Sequence, residues 1–351
     1  MDPINRRNFI RTTVAGGVAA TLISPLEGFV YYKKTEEAPV KGTVSLTAGE
    51  NRADMAFRAL QPFSQQVKTA IGKKRVILKP NNVSSQIPLA ASSSENLEGI
   101  LEFLKSIGKL ENTIIAEAAR ESTFKQAADN FGYTKVAEKY NVKIVDLDNE
   151  PVDVLYVFDE KDFRPHAVRM SRPLMSPDSY VISAAKLKTH DRACVTLSLK
   201  NIVFGAPIKD AGSSGPNRKP GARADKPIVH GSGFRGINYN LYALSSVLHP
   251  HLSVIDGYEG MEGNGPIAGT PVDHKVCVAS PDWYCADRVG VELMGVDFAK
   301  VGYLNFCADA GMGPADISKI NIIGEKVTDH IKTYKLSTNI NEQLIWMQKL
   351  S

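Results

Sequence analysis

Compact metal-binding cysteine motifs are missing from this chain. Its 351 residues include four cysteines, Cys194, Cys277, Cys285 and Cys307, and no two stand as C-x-x-C. Neither a zinc ribbon nor a ferredoxin cluster can be read from that spacing, and an iron–sulfur cluster within the chain is not expected. A Cys277–Cys285 disulfide is open to it in an oxidising compartment, but buried free thiols are the favoured expectation. Surplus charge of one sign is also scarce. Of the net +4, residues 1–35 carry +3 and leave +1 for the rest, so no bulk argument for nucleic-acid binding survives. Beyond the N-terminus no apolar run approaches the roughly 20 residues of a membrane span. No internal repeat or heptad pattern is present.

The N-terminus reads Asn5-Arg6-Arg7-Asn8-Phe9-Ile10-Arg11, followed by the Gly/Ala-rich stretch Thr12–Ile23. A basic start before a short, weakly apolar segment is a signal-type pattern. Paired arginines before an aromatic and an aliphatic residue resemble the twin-arginine motif. Residues 1–35 are therefore expected to be a twin-arginine signal or an N-terminal anchor. No clean Ala-x-Ala site follows Ile23, and Tyr31, Tyr32, Lys33 and Lys34 suit a retained anchor at the membrane interface. The expected location is periplasmic, or anchored on the outer face of the cytoplasmic membrane.

Residues 36–351 are expected to form a single α/β domain. Strand-like runs at Thr43–Leu46, Arg75–Leu78, Thr113–Ala116 and Val142–Leu147 alternate with helical patterns at Ala53–Ile71, from Ser92–Glu95 onward, and at Phe124–Tyr140 as one or two helices. That order predicts a mainly parallel sheet flanked by helices. Val152–Phe158 and Ala167–Ser171 suggest a hairpin, and Tyr180–Ala184 a further strand. Residues 206–235, rich in Gly, Pro, Ser, Lys and Arg, read as an irregular basic loop insertion. Order resumes with a helix at Tyr239–Leu248 and strands at Leu252–Ile255 and Val276–Ala279. A helix at Pro281–Met294 with Ser280 as N-cap follows, then a strand at Lys319–Ile323 and a helix at Asn341–Leu350.

Four polar clusters fall near the expected C-terminal ends of strands, where open α/β sheets bind ligands. The first is Lys79-Pro80-Asn81-Asn82, one cation with two amides. The second, Ala185-Lys186-Leu187-Lys188-Thr189-His190, joins two lysines to a hydroxyl and an imidazole, suited to anion binding and acid/base work. The third runs from Thr196 to Gly205. If helical it sets Thr196 and Lys200 on one face, and its Lys200-Asn201 pair on an apolar segment requires a partner. The fourth, Asp256 to Pro266, interleaves three carboxylates with four glycines, a flexible loop able to coordinate a hard cation or pair with lysines. Between Lys186 and Arg235 ten Lys/Arg stand against three Asp, a local +7 that suits a phosphorylated or carboxylated ligand.

In this order the clusters resemble the signature of the bacterial and archaeal family called domain of unknown function 362. The carrying residues are Lys79-Pro80-Asn81, Lys186–His190, Thr196–Gly205, Asp256-Gly257 with Glu262–Pro266, and Ala279–Asp282 with Asp287, across about Val76 to Gly295. Many members carry a ferredoxin-like module or sit beside redox proteins, so the resemblance implies redox or cofactor chemistry. This chain departs from that pattern in lacking a cysteine-rich module.

The combined expectation is an exported enzyme acting on a small anionic substrate, with metal or redox linkage left open. Catalytic roles fall to His190, Lys188 and Lys200. Ligand binding falls to Lys79, Asn81, Lys186, Thr189, Thr196, Asn201 and Asn264, and a divalent metal to Asp256, Glu259 and Glu262. The alternative is a periplasmic ligand- or cofactor-binding accessory protein for a membrane redox complex, which needs the lysines but no acid/base group. The expected partners are the small anion, the twin-arginine machinery and a membrane redox protein, with no nucleic acid.

Overall fold

The structure is a computed structural model describing residues 42–120, 123–213 and 218–348. The expected signal or anchor at residues 1–35 lies outside the described residues. Eleven strands occur among the described residues: β1 (Thr43–Ala48), β2 (Arg75–Pro80), β3 (Thr113–Glu117), β4 (Lys143–Asp146), β5 (Val152–Asp159), β6 (Arg164–Ser171), β7 (Ser179–His190), β8 (Cys194–Thr196), β9 (Leu252–Asn264), β10 (Ala268–Ser280) and β11 (Asn321–Gly324). Nine of them form one mixed, mostly parallel sheet in the order β11-β1-β10-β9-β7-β2-β3-β4, with β8 paired to β7. The expected α/β class is the one observed. β5 and β6 form the expected hairpin, a separate two-stranded sheet.

Alternation along the central strands builds two cores. Val76 and Leu78 of β2, with Tyr180 and Ile182 of β7, face a layer holding the helices Arg52–Leu60 and Ser94–Ser106. Ile77, Val181 and Leu187 face the opposite layer, with helices Gly233–Ser245 and Trp283–Leu293. A parallel strand covered on both faces reads as nearly continuous apolar sequence, and Val76-Ile77-Leu78 is such a run. Among the described residues no helix is long and apolar enough to cross a membrane. All four cysteines are free and buried, so the Cys277–Cys285 bridge is not formed.

Several boundaries differ from expectation for identifiable reasons. Ala53–Ile71 breaks into helices Arg52–Leu60 and Ser64–Ile71 around Pro62, which lacks an N–H to continue the ladder. Phe124–Tyr140, expected as one or two helices, is two, divided at Gly132, whose φ of 78° is left-handed. The helix expected at Tyr239 begins at Gly233 and ends at Ser245. Trp283–Leu293 is capped by Asp282 rather than Ser280, because the Asp282 side chain accepts from Cys285 N. Near the C-terminus the described helix is only Ile340–Gln343, followed by a 3-10 turn at Leu344–Met347.

The larger corrections concern strand length. β7 runs on through His190, so Lys186 to His190 lie within the strand and not in a turn after it. The expected glycine-rich loop from Asp256 is the body of β9, laddered against β10 through pairs such as Glu262↔Thr270. Its glycines are sites of close approach: a Cβ at Gly260 would collide with the Tyr334 ring. Thr196 belongs to β8 and only Ser198–Val203 is helical, so Thr196 and Lys200 share no helix face.

Candidate functional site

The sheet changes its direction of growth between β2 and β7. The chain leaves β2 for β3 on one side, and leaves β7 for β9 on the other. Such a switch point opens a crevice at the carboxyl ends of the strands. A cavity of about 750 Å³ lies there, lined by the ends of β2, β3 and β7, by the helix Ser198–Val203, and by Lys209, Ser213 and residues between Ala224 and Gly231.

One wall is a closed polar network. Lys79 Nζ donates to Glu117 Oε2 at 2.7 Å and to Asn201 Oδ1 at 3.2 Å. Asn81 Nδ2 donates to the same Asn201 oxygen at 3.0 Å, and Lys188 Nζ donates to Asn81 Oδ1 and to the Ala90 carbonyl. Asn201 Nδ2 reaches Ser183 Oγ at 3.0 Å. β2, β3, β7 and the Ser198–Val203 helix are thus tied together by groups that are all buried. Burial pushes the Lys79 ammonium down and the Glu117 carboxyl up, and each is held back by the other's charge. Lys188 is driven well below its ordinary value by burial, aided by the Lys200 and Lys186 charges.

The reactive wall is built around Lys200. Its Nζ lies 3.0 Å from His190 Nε2 and 5.1 Å from the centroid of the Phe204 ring. Burial lowers Lys200 to about 7 and pushes His190 well below the usual imidazole range. His230, packed edge-on to Phe204, falls to about 3, also through burial. The short helix carrying Lys200 has no side-chain cap of its own. Asp287 supplies one from the helix Trp283–Leu293, accepting from Ser198 N at 2.7 Å, Leu199 N at 3.1 Å and the Tyr303 hydroxyl at 3.0 Å. Its own carboxyl is raised to about 7 by burial, the two backbone donors opposing. In the same cavity wall, the Thr196 hydroxyl is buried with no hydrogen-bond partner.

The rim is cationic. Six Lys/Arg line the cavity against Glu117 and Asp191, so positive charge remains after Lys79 and Glu117 pair. Lys226 donates to the Gly205 carbonyl at 2.8 Å, and burial brings it down to about 8. Lys209 is held by Asp148 and the Ala119 carbonyl. Among the described residues the guanidinium groups of Arg120 and Arg192 have no hydrogen-bonded or ion-paired protein partner.

Of the residues expected from sequence, Lys79, Asn81, His190, Thr196, Lys200 and Asn201 line this cavity. Lys188 stands behind its wall. Thr189 is spent on the Gly263 carbonyl, and Asn264 accepts from Ser337 and Thr338. Lys186 pairs in register with Asp256, away from the cavity lining. The three carboxylates assigned to a metal are spread along β9 with separate tasks. Asp256 accepts from Tyr258 N and faces Arg52, Glu259 stands opposite Asp273, and Glu262 accepts from Lys335 N. They do not converge, and no metal-ligating group of three or more His, Cys, Asp or Glu occurs among the described residues. Sequence reasoning passed over Glu117, Arg120, Arg192, Lys209, Lys226 and His230. Glu117 closes a strand at its carboxyl end, which was a usable signal. Lys209, Lys226 and His230 sit in the aperiodic insertion, where spacing carries none.

A second cavity of about 730 Å³ lies at the opposite ends of β2 and β7, around Arg75 and Ser179. None of its charged side chains is buried, so it lacks the perturbed groups that mark a reactive site.

Residues 76–292 match the family described as Domain of unknown function (DUF362). That span holds every residue lining the larger cavity, from Lys79 to Pro266. A thylakoid-associated protein of Synechocystis sp. is 24% identical over 242 residues, covering 68% of this chain and 69% of that protein.

Proposed function

The chain belongs to the domain of unknown function 362 family, and from the site inside the matched region we propose that it is an enzyme acting on a small anionic substrate. One observation carries this reading: Lys200 and His190 meet at 3.0 Å on the wall of a cavity whose remaining charge is positive. A lysine near neutrality and an unprotonated imidazole can hand a proton to or from a bound molecule near pH 7. Arg120, Arg192 and Lys226 supply the cations for a phosphate or carboxylate. The unpaired Thr196 hydroxyl offers a further hydrogen bond.

In a thermal-shift screen, inorganic phosphate, pyrophosphate and small dicarboxylates are expected to raise the melting temperature of the wild-type chain. Lys226→Met should weaken that shift. Product formation from a panel of anionic metabolites, followed by NMR, should then fall roughly 10²–10⁴-fold in His190→Ala, with anion binding retained. Turnover unchanged in His190→Ala, or no anion stabilising the protein, overturns the reading. Anion binding without turnover on any substrate would move the site to the ligand-binding accessory role.

We also propose export by the twin-arginine route. The support is Arg6-Arg7 before Phe9 and Ile10, and the thylakoid association of the Synechocystis relative fits a place beside a membrane. Replacing both arginines by lysine should hold the protein in the cytoplasmic fraction. Undiminished periplasmic or membrane recovery of that variant would remove the proposal.

A further inference from the structure

We propose that Lys200 is a nucleophile that forms a Schiff base with a small carbonyl compound bearing a carboxylate or phosphate. The inference rests on the anionic-substrate reading above and names the reacting group of that substrate.

The geometry around His190 is the first support. Its Nδ1 accepts from Arg192 N at 3.0 Å, and a nitrogen that accepts carries no proton. The neutral ring then holds its proton on Nε2, the atom 3.0 Å from Lys200 Nζ. Two donors cannot bond to each other, so Lys200 must offer a lone pair, which only the free amine has. Asp191 Oδ1 also stands 3.1 Å from Nδ1 and would favour the opposite tautomer, with a charged Lys200 donating to Nε2. Asp191 is half-exposed while Lys200 and His190 are buried. The Arg120 and Arg192 charges oppose an ammonium at Lys200, and among the described residues Asp191 is the carboxylate whose charge favours one. Burial, with the Arg120 and Arg192 charges added to it, disfavours a further positive charge there.

The second support is the wall itself. Lys200 is buried yet lines the cavity, with the ring of Phe204 beside it, and the unpartnered Thr196 hydroxyl belongs to the same lining. Free amine, hydroxyl donor and unpaired guanidinium groups together suit a carbonyl carbon, its oxygen and an attached anion.

The step balances without an added reagent. The Lys200 lone pair forms a C–N bond to the carbonyl carbon as the C=O π pair moves to oxygen. His190 Nε2–H, released from the amine, donates a hydrogen bond to that oxygen. Both amine hydrogens pass to the oxygen, which leaves as water while the C–N bond becomes double. Net charge is unchanged and nothing is oxidised.

The test incubates the full chain with glyoxylate, and separately with pyridoxal 5′-phosphate, in the presence of cyanoborohydride, and maps adducts by peptide mass spectrometry. Lys200 should be labelled roughly 10–100-fold faster than exposed lysines, since an ordinary lysine is free amine in only about one molecule in 10³ at neutral pH. Its labelling rate should climb through about pH 7, because the free amine accumulates above the lysine pKa. Lys200→Arg should remove the fast adduct. Uniform labelling of surface lysines with Lys200 untouched overturns the proposal, and because it is read on the wild-type chain it does not depend on a variant folding. Stabilisation by phosphate without an adduct would refute the Schiff base alone, whereas neither effect would refute the anion site as well.

Discussion

Lys79→Met is expected to cost about 3–5 kcal/mol of folding stability, measured by chemical denaturation, because it leaves a carboxylate buried without its counter-charge. Lys79 and Glu117 are 0% and 3% exposed at 2.7 Å, so each is desolvated by the fold and depends on the other for its counter-charge. Glu117→Leu should cost a similar amount. The double variant should recover much of the loss, since two apolar side chains need no desolvation of charge, and the cycle isolates the pair's coupling. Glu117→Gln adds a pH signature with a defined sign. Without the carboxylate, Lys79 falls further below its unfolded value near 10.4. Between the two values the unfolded chain binds a proton that the folded chain does not, so stability rises with pH across that window. The variant's deficit should therefore shrink from neutral pH toward pH 10. A Lys79→Met protein within 1 kcal/mol of wild type would show that the pair does not hold the site together.

Much of this architecture was legible in the sequence because it follows from short-range physics. Alternating β and α patterns placed β1 to β4 and the β5–β6 hairpin, since burial on one or both faces leaves a periodic trace. The chemistry of Lys79, His190, Lys200 and Asn201 was legible for a related reason: polar residues embedded in apolar runs need partners. What misled was the use of glycine as punctuation. In β9 Gly257 and Gly260 mark close approach by Val276 and Tyr334, so a ladder continues where a loop was expected and the carboxylates are dispersed. The pairing of Lys79 with Glu117, 38 residues apart, is set by two strands meeting and leaves no periodic signal. The insertion is harder still, because Lys226 reaches the cavity through a backbone carbonyl at Gly205.

That same carbonyl points to the second large effect: Gly205→Ala is expected to destabilise the chain by about 2–4 kcal/mol and to impair the Lys200 site. Gly205 follows the Ser198–Val203 helix at the point where three elements converge. A Cβ there would press inside contact distance on the Asn201 carbonyl oxygen and on Nζ and Cε of Lys79. The carbonyl is backbone and cannot swing aside, so either the helix end or the lysine must move. A helix shift displaces Lys200 from His190, and a lysine shift loosens Lys79 from Glu117. Overpacking a tight core commonly costs about 1–3 kcal/mol, and disturbance of the ion pair adds to it. Gly108→Ala is the control, since a Cβ there meets nothing within 4 Å and the cost is only its left-handed φ of 69°, about 1–2 kcal/mol. Combining Gly205→Ala with Lys79→Met should cost less than the separate losses added together, because both act on the same ammonium. Strict additivity would mean that the alanine acts through the Asn201 carbonyl alone. A Gly205→Ala chain as stable as wild type, with a wild-type Lys200 labelling rate, would mean that the wall between β2 and the helix is loosely packed.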